Sequence, residues 1–194
     1  MAEIILTDKL VIGKGRDRIC YQHPSNPSLC IKISIRDNKQ SVREARYFSY
    51  LYKTGSDARH LSCYRGTVET NVGTGYLFDL IADDSGDVSK TLTELLKNGE
   101  ISDQEIKQPI QQLSDYLVHN RICVRDISPS NIVYQKTGSG FELMIIDGVS
   151  NPGIYPWTIR FKHLVKRAND KSWASFHRKV QRLMAEQKQV TRVS

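Results

Sequence analysis

Long apolar runs are missing from this sequence. No stretch of the 194 residues approaches the roughly 20 that a membrane-spanning helix needs. The opening MAEIILTDKL lacks a basic segment followed by an apolar one, so no secretory signal is expected and the expected location is cytoplasmic. Cysteine is scarce: Cys20, Cys30, Cys63 and Cys123 form no C-x-x-C pair and have no histidine partner at zinc-finger spacing. That argues against a structural zinc site and a disulfide framework, and predicts small buried thiols in a reducing compartment. No internal repeat or low-complexity block is present. Aromatic residues interleaved with basic ones, as a base-stacking surface needs, are also absent, which makes nucleic acid the weakest of the anionic partners considered.

What is present is an ordinary globular composition, 39% hydrophobic and 25% charged, enough for one compact domain or two small lobes. The charge is placed unevenly. Residues 160–194 carry ten Lys/Arg and two Asp/Glu, whereas the first 159 carry 18 and 19, so the excess of +7 lies in the last 35 residues. Two readings follow. A helical pair packs apolar stripes on the body of the protein and leaves its charges solvated. Alternatively, the cations attract an anionic acceptor or anionic lipid at the inner membrane.

The first third reads as strands in EIIL, KLVIG, RICY and LCIKISI. In the last of these, Ile31, Ile33 and Ile35 alternate with Cys30, Lys32 and Ser34, which puts a lysine in mid-strand. A helix over 39–53 places Glu44, Tyr47, Phe48 and Leu51 on one face. A carboxylate among aromatics calls for a cation: Lys32 is the candidate, unless Glu44 sits at the stripe edge and reaches water, Arg46 or Lys53. CYRGTVET and GTGYLFDLIA read as two more strands, followed by the polar connector DDSGDVSK. The expected division is therefore 1–82 and 83–194. Thr91 with Glu94, and Ser102 with Glu105, are capping-box patterns opening two helices. Pro109 either kinks the second or marks a start near Gln108. NIVYQ and FELMIID read as a hairpin. In the tail, Phe161, Leu164, Val165 and Ala168 make one stripe, and Trp173, Phe176, Val180, Leu183 and Met184 another.

Between these elements lies RICVRDISPSNIVY, with Asp126 and Asn131 five positions apart in a turn that contains Pro129. Such residues are common in turns. They gain meaning in an ordered set: Gly13, Lys14 and Gly15 in a turn, Lys32 on a strand, Glu44 on a helix, Asp126 and Asn131 in a loop, and Asp147 after an apolar strand. That set matches the parts list for phosphoryl transfer.

On VIGKGRDRICY, CIKI, REARYFSYL, VRDISPSNIVY and MIIDG the sequence resembles the protein-kinase-like superfamily. More narrowly, CYQHPSNPSLCIKI, GTVETNVGTGYLFDLIAD and TLTELL resemble the YrbL family of PhoP regulatory network proteins, over most of residues 8–150. The resemblance implies an α+β, two-lobed fold: an N-lobe of antiparallel sheet plus one helix, and a reduced, mostly helical C-lobe. It implies ATP and Mg²⁺ as cofactors. Lys32, paired with Glu44, would neutralise the α- and β-phosphates, and the backbone at Gly13, Lys14 and Gly15 would cover them. Asn131 and Asp147 would hold the metal, Asp126 would orient and deprotonate an acceptor hydroxyl, and the backbone of Asp79, Leu80 and Ile81 would meet the adenine. The pattern departs in four places. Val124 stands where most kinases have His, and Ser128 where Ser/Thr kinases have Lys. Gly148 directly follows Asp147, and only 47 residues come after Asp147. The reading is an ATP- and Mg²⁺-dependent phosphotransferase acting on a small molecule or a protein. The alternative is a nucleotide-binding pseudokinase, a regulatory scaffold in an envelope or low-magnesium stress response.

Overall fold

The structure, a computed structural model, describes residues 3–36, 39–138, 140–151, 159 and 161–193. The chain divides into two compact units, Met1–Gly55 with Ser62–Ile81, and Ser56–Leu61 with Ala82–Ser194.

The first unit is a five-stranded antiparallel sheet with one helix. The strands are β1 (Val11–Lys14), β2 (Arg18–Gln22), β3 (Leu29–Ser34), β4 (Tyr64–Thr70) and β5 (Gly73–Asp79), in the order β1-β2-β3-β5-β4. Helix α1 (Gln40–Lys53) connects β3 to β4. The alternation in β3 sorts its side chains as expected within the strand. Ile31 and Ile33 join Leu6 and Tyr21 in one apolar cluster. Cys30 and Lys32, on the opposite face, are also buried, so β3 is covered on both sides. Ile35 falls beyond the strand and is exposed. On α1, Glu44, Tyr47, Phe48 and Leu51 are all buried, which rules out a stripe-edge position for Glu44. EIIL does not form a strand. Only Ile4 pairs, in a single bridge to Thr70, because the side chain of Asn71 takes the backbone bonds of Leu6, accepting from its N–H at 2.7 Å and donating to its carbonyl at 3.1 Å.

The second unit contains α2 (Leu92–Lys97), α3 (Asp103–His119), the hairpin β6 (Ile132–Thr137) with β7 (Gly140–Ile145), and α4 (Lys162–Val193). Both capping boxes form, at Thr91 with Glu94 and at Ser102 with Glu105. Pro109 lies inside α3, which starts at Asp103 and not near Gln108. The buried face Ile106, Ile110, Leu113, Tyr116 and Leu117 outweighs the roughly 3 kcal/mol that an interior proline costs. The tail is one helix of 32 residues, not a pair. No glycine or proline occurs between 162 and 193 to break it. Its buried stripe runs Val165, Asn169, Trp173, Phe176, Val180 and packs on α2 and α3, while Phe161 is exposed and precedes the helix. Among the described residues no helix is long and apolar enough to cross a membrane.

Candidate active site

In the first unit, Gly13 and Lys14 end β1 and Gly15 opens the turn to β2; all three are exposed. The turn is closed by the Gly15 N–H donating to the Arg18 carbonyl at 2.9 Å. A Cβ placed on Gly13 or Gly15 would find its nearest neighbour at 4.0 and 3.6 Å, ordinary contact distances. The packing of the turn therefore does not itself demand glycine at either position, and both leave the backbone open to close approach.

Lys32 stands in register between Cys20 on β2 and Tyr76 on β5. It is 7% exposed, and its ammonium lies 4.0 Å from the centroid of the Phe78 ring. A cation over an aromatic face, desolvated to this degree, is held by the ring quadrupole. Cys20 and Cys30 share a thiol hydrogen bond beside it. That bond raises the Cys20 thiol well above its usual range, with burial adding to the rise; the same bond lowers Cys30, against the opposing effect of burial.

Glu44 carries an interaction that sequence reasoning missed. Arg18, at the start of β2, reaches it with both guanidinium nitrogens, Nη1 to Oε2 at 2.5 Å and Nη2 to Oε1 at 3.4 Å. Nη1 also lies 3.4 Å from Ser41 Oγ, and Ser41 Oγ is 3.3 Å from Ser34 Oγ. Arg18 is 7% exposed and Glu44 1%. The signal was available in the strand alternation: the register sets Arg18 opposite Ser34 and Cys20 opposite Lys32, so Arg18 lies on the Lys32 face of the sheet.

Of the three residues offered for adenine, Asp79 is largely engaged. Its N–H donates to the Cys63 carbonyl, its carbonyl accepts from Ser62 Oγ, and its carboxylate is gripped by Arg65 at 2.6 and 2.7 Å. The Leu80 N–H donates to Ser28.

In the second unit, Asp126 and Asn131 are brought together. The Asn131 amide donates to the Asp126 carbonyl at 3.0 Å and to Asp126 Oδ2 at 3.2 Å. With Nδ2 committed to Asp126, Oδ1 remains as an acceptor, approached by Ser130 Oγ at 3.4 Å. The same loop is tied to the segment carrying Asp147, because the Ile146 N–H donates to the Asn131 carbonyl at 2.9 Å and the Arg125 N–H to the Gly148 carbonyl at 2.9 Å. The Gly148 N–H in turn donates to Asp147 Oδ1. Gly148 has φ +81, and a Cβ there would lie 2.9 Å from the Asp126 carbonyl oxygen. Gly148 thus has a steric reason: the chain passes directly against the backbone of Asp126. Val124 is fully buried and bridges to Val149, an apolar solution at the position where most kinases place a histidine.

The other feature that the sequence did not disclose is the set of bonds from the helical tail, α4, to this loop. Asn169 accepts from the Val124 N–H at 3.0 Å and donates to the Ile122 carbonyl at 2.9 Å, Ser172 donates to the Arg125 carbonyl at 2.8 Å, and Lys179 reaches Ser128 and Asp126. Asn169, Ser172, Phe176 and Lys179 follow each other at helical spacing along the face that meets the loop. A polar Asn inside the stripe of α4 was the readable sign, since a fully buried amide needs partners.

The donor set suits magnesium: an amide oxygen and a carboxylate, both hard ligands, with no sulfur or imidazole among them. The family model described as PhoP regulatory network protein YrbL matches residues 4–181. The chain belongs to the YrbL family. It is 32% identical, over 180 residues, to the uncharacterised YrbL proteins of Escherichia coli (strain K12) and Shigella flexneri, covering 89% of this chain and 86% of each relative. Among solved structures it is similar to the kinase domain of PknI from Mycobacterium tuberculosis, with a TM-score of 0.50 and 16% identity, covering 91% of this chain and 72% of that one. The fold is protein-kinase-like. The match to the YrbL family extends past the 8–150 stretch traced in the sequence and takes in Asn169, Ser172 and Lys179, so the docked part of α4 belongs to the family module.

Proposed function

We propose that this protein is an ATP- and Mg²⁺-dependent phosphotransferase working within the PhoP regulatory network. The observation that carries the reading is the locked loop, in which the amide of Asn131 holds Asp126 while its backbone carbonyl is bonded to the segment bearing Asp147. Lys32 neutralises phosphate oxygens, the backbone at Gly13 and Gly15 covers them, and Ile81 offers its backbone to adenine. Asn131 and Asp147 would hold the metal, which when bound would supply charge neutralisation and orient the phosphates. Asp126 orients the acceptor hydroxyl and takes its proton. In the transfer, the bond from the terminal phosphorus to the bridging oxygen breaks and a bond to the acceptor oxygen forms. The proton passes to the Asp126 carboxylate and ADP leaves. Helix α4 is committed to its own loop, so a small-molecule acceptor suits the unit at least as well as a protein.

Incubation with labelled ATP and Mg²⁺ should give transfer or slow hydrolysis. Asp126→Asn should lower it by about a hundredfold or more, since a positioned base contributes roughly 10²–10⁴, while MgATP binding persists. A thermal shift with ATP and no turnover under any condition would support the pseudokinase alternative instead.

The glycine turn gives a second test. Gly13→Ala and Gly15→Ala should melt within about 4 °C of wild type, because the added methyl meets only ordinary contacts. Calorimetry should nonetheless show weaker ATP binding, through a backbone that can no longer approach as closely. Unchanged affinity in both would remove the turn from the phosphate site.

A further inference from the structure

The loop carrying Asp126 brings two negative charges together in the proposed reaction. Asp126 must be ionised to accept a proton, and the phosphoryl group arriving beside it spreads charge over its terminal oxygens. A nearby cation would offset that repulsion. The loop has Arg121 and Arg125, but both are exposed, and among the described residues neither side chain forms an ion pair with Asp126.

Lys179 is a cation beside Asp126. Its Nζ lies 3.7 Å from Asp126 Oδ1 and donates to Ser128 Oγ at 3.1 Å. Ser128 Oγ is in turn 3.0 Å from Ser130 Oγ, whose hydroxyl points to Asn131 Oδ1. The ammonium is therefore seated on a run of hydroxyls that leads from Asp126 to the amide oxygen assigned to the metal. It comes from α4, which is fixed to the loop by Asn169 and Ser172, so the helix sets its position. The side chains of Lys179 and Asp126 are 46% and 63% exposed, so both can be reached from solvent. An ion pair this exposed adds little to stability, which leaves the stability of the fold a weak reason for its geometry.

We infer that Lys179 is a catalytic residue whose ammonium contacts the oxygens of the transferring phosphoryl group, so that the C-terminal helix completes the catalytic loop. Lys179 remains protonated throughout; the bonds made and broken are those given above. The inference rests on the phosphotransfer reading and deepens it.

The test uses ATP carrying an acyl group on its terminal phosphate. An amine beside that phosphate attacks the acyl carbonyl, an amide forms on Nζ, and ATP leaves. Peptide mapping of the full-length protein should find both Lys32 and Lys179 acylated, each suppressed by excess MgATP. Labelling of Lys32 alone overturns the role of Lys179 and leaves the phosphotransfer reading standing; no protected lysine at all overturns both. Kinetics supply the second arm. Lys179→Met should lower kcat by about a hundredfold, the scale for losing one donor to developing charge, with KM for MgATP and melting temperature unchanged. Lys179→Arg, and the transplanted ammonium in Ser128→Lys with Lys179→Met, should each recover part of kcat. An unchanged kcat in Lys179→Met, or a loss matched by a fall in melting temperature, overturns the inference.

Discussion

Arg18→Met is expected to destabilise the protein by about 3–5 kcal/mol, the range for removing one partner from a buried ion pair. The pair qualifies on burial, with Arg18 7% and Glu44 1% exposed, and on geometry, because both guanidinium nitrogens face the two carboxylate oxygens. The substitution also takes a donor from the Ser41 hydroxyl, which is itself in contact with Ser34. Arg18→Lys should recover only part of the loss, because one ammonium cannot span both carboxylate oxygens and the serine at once. The double variant Arg18→Met with Glu44→Met should be markedly more stable than Arg18→Met alone, since both buried charges leave together. Urea denaturation of wild type, Arg18→Met, Glu44→Met and the double variant closes a double-mutant cycle. A double variant no more stable than Arg18→Met would mean that the cost lies in packing around Arg18 and not in the charge. Melting temperature should fall by on the order of 10 °C in Arg18→Met. Nucleotide binding separates the roles further: the double variant regains stability but still lacks Glu44, so its ATP affinity should stay low if Glu44 helps to hold Lys32.

What could be read in the sequence was mostly local. The capping boxes of α2 and α3 are four-residue patterns and formed as expected. The alternation of β3 put Lys32 opposite Ile31 and Ile33, and the period of α1 put Glu44 with Tyr47 and Phe48. Asp126 and Asn131 are five apart in one turn, close enough for the spacing itself to suggest a shared task. The unread features depend on distant partners. Arg18 meets Glu44 26 positions away; strand alternation puts it on the Lys32 face, but no local pattern names its partner. Lys179 meets Ser128 51 positions away, and in a helix so rich in cations it reads as one more solvated charge. The tail's excess of charge was visible, but the place of one lysine beside Asp126 depends on the docking of α4, set by its apolar stripe together with Asn169. EIIL failed as a strand for a similar reason, since a side chain 65 positions away satisfies the backbone of Leu6.

Gly148→Ala should have the widest effect of any single methyl group in the second unit. At φ +81 an alanine is strained by roughly 1–2 kcal/mol before any contact is counted. Its Cβ would then lie 2.9 Å from the Asp126 carbonyl oxygen and 3.3 Å from the Asp126 nitrogen, backbone atoms that cannot rotate away. That carbonyl is the one the Asn131 amide donates to, so moving it disturbs both the proposed base and the amide oxygen proposed for magnesium. The Gly148 N–H is bonded to Asp147 Oδ1 and its carbonyl accepts from Arg125, so the displacement reaches Asp147 as well. A total cost of about 2–4 kcal/mol is expected in denaturation, with transfer lowered by about a hundredfold or more, because small misplacements of reacting groups cost that much. Gly138→Ala is the internal control: its φ is not positive and its nearest contact would be Asp84 at 3.6 Å, so stability and transfer should hardly change. Magnesium titration distinguishes a general loosening from a local one. If the damage is centred on Asn131 and Asp147, Gly148→Ala should keep its affinity for metal-free ATP and lose the increase that magnesium brings. A variant that folds, responds to magnesium and transfers phosphate normally would show that the loop and Asp147 are not mechanically joined, and the glycine directly after that aspartate would then need another cause.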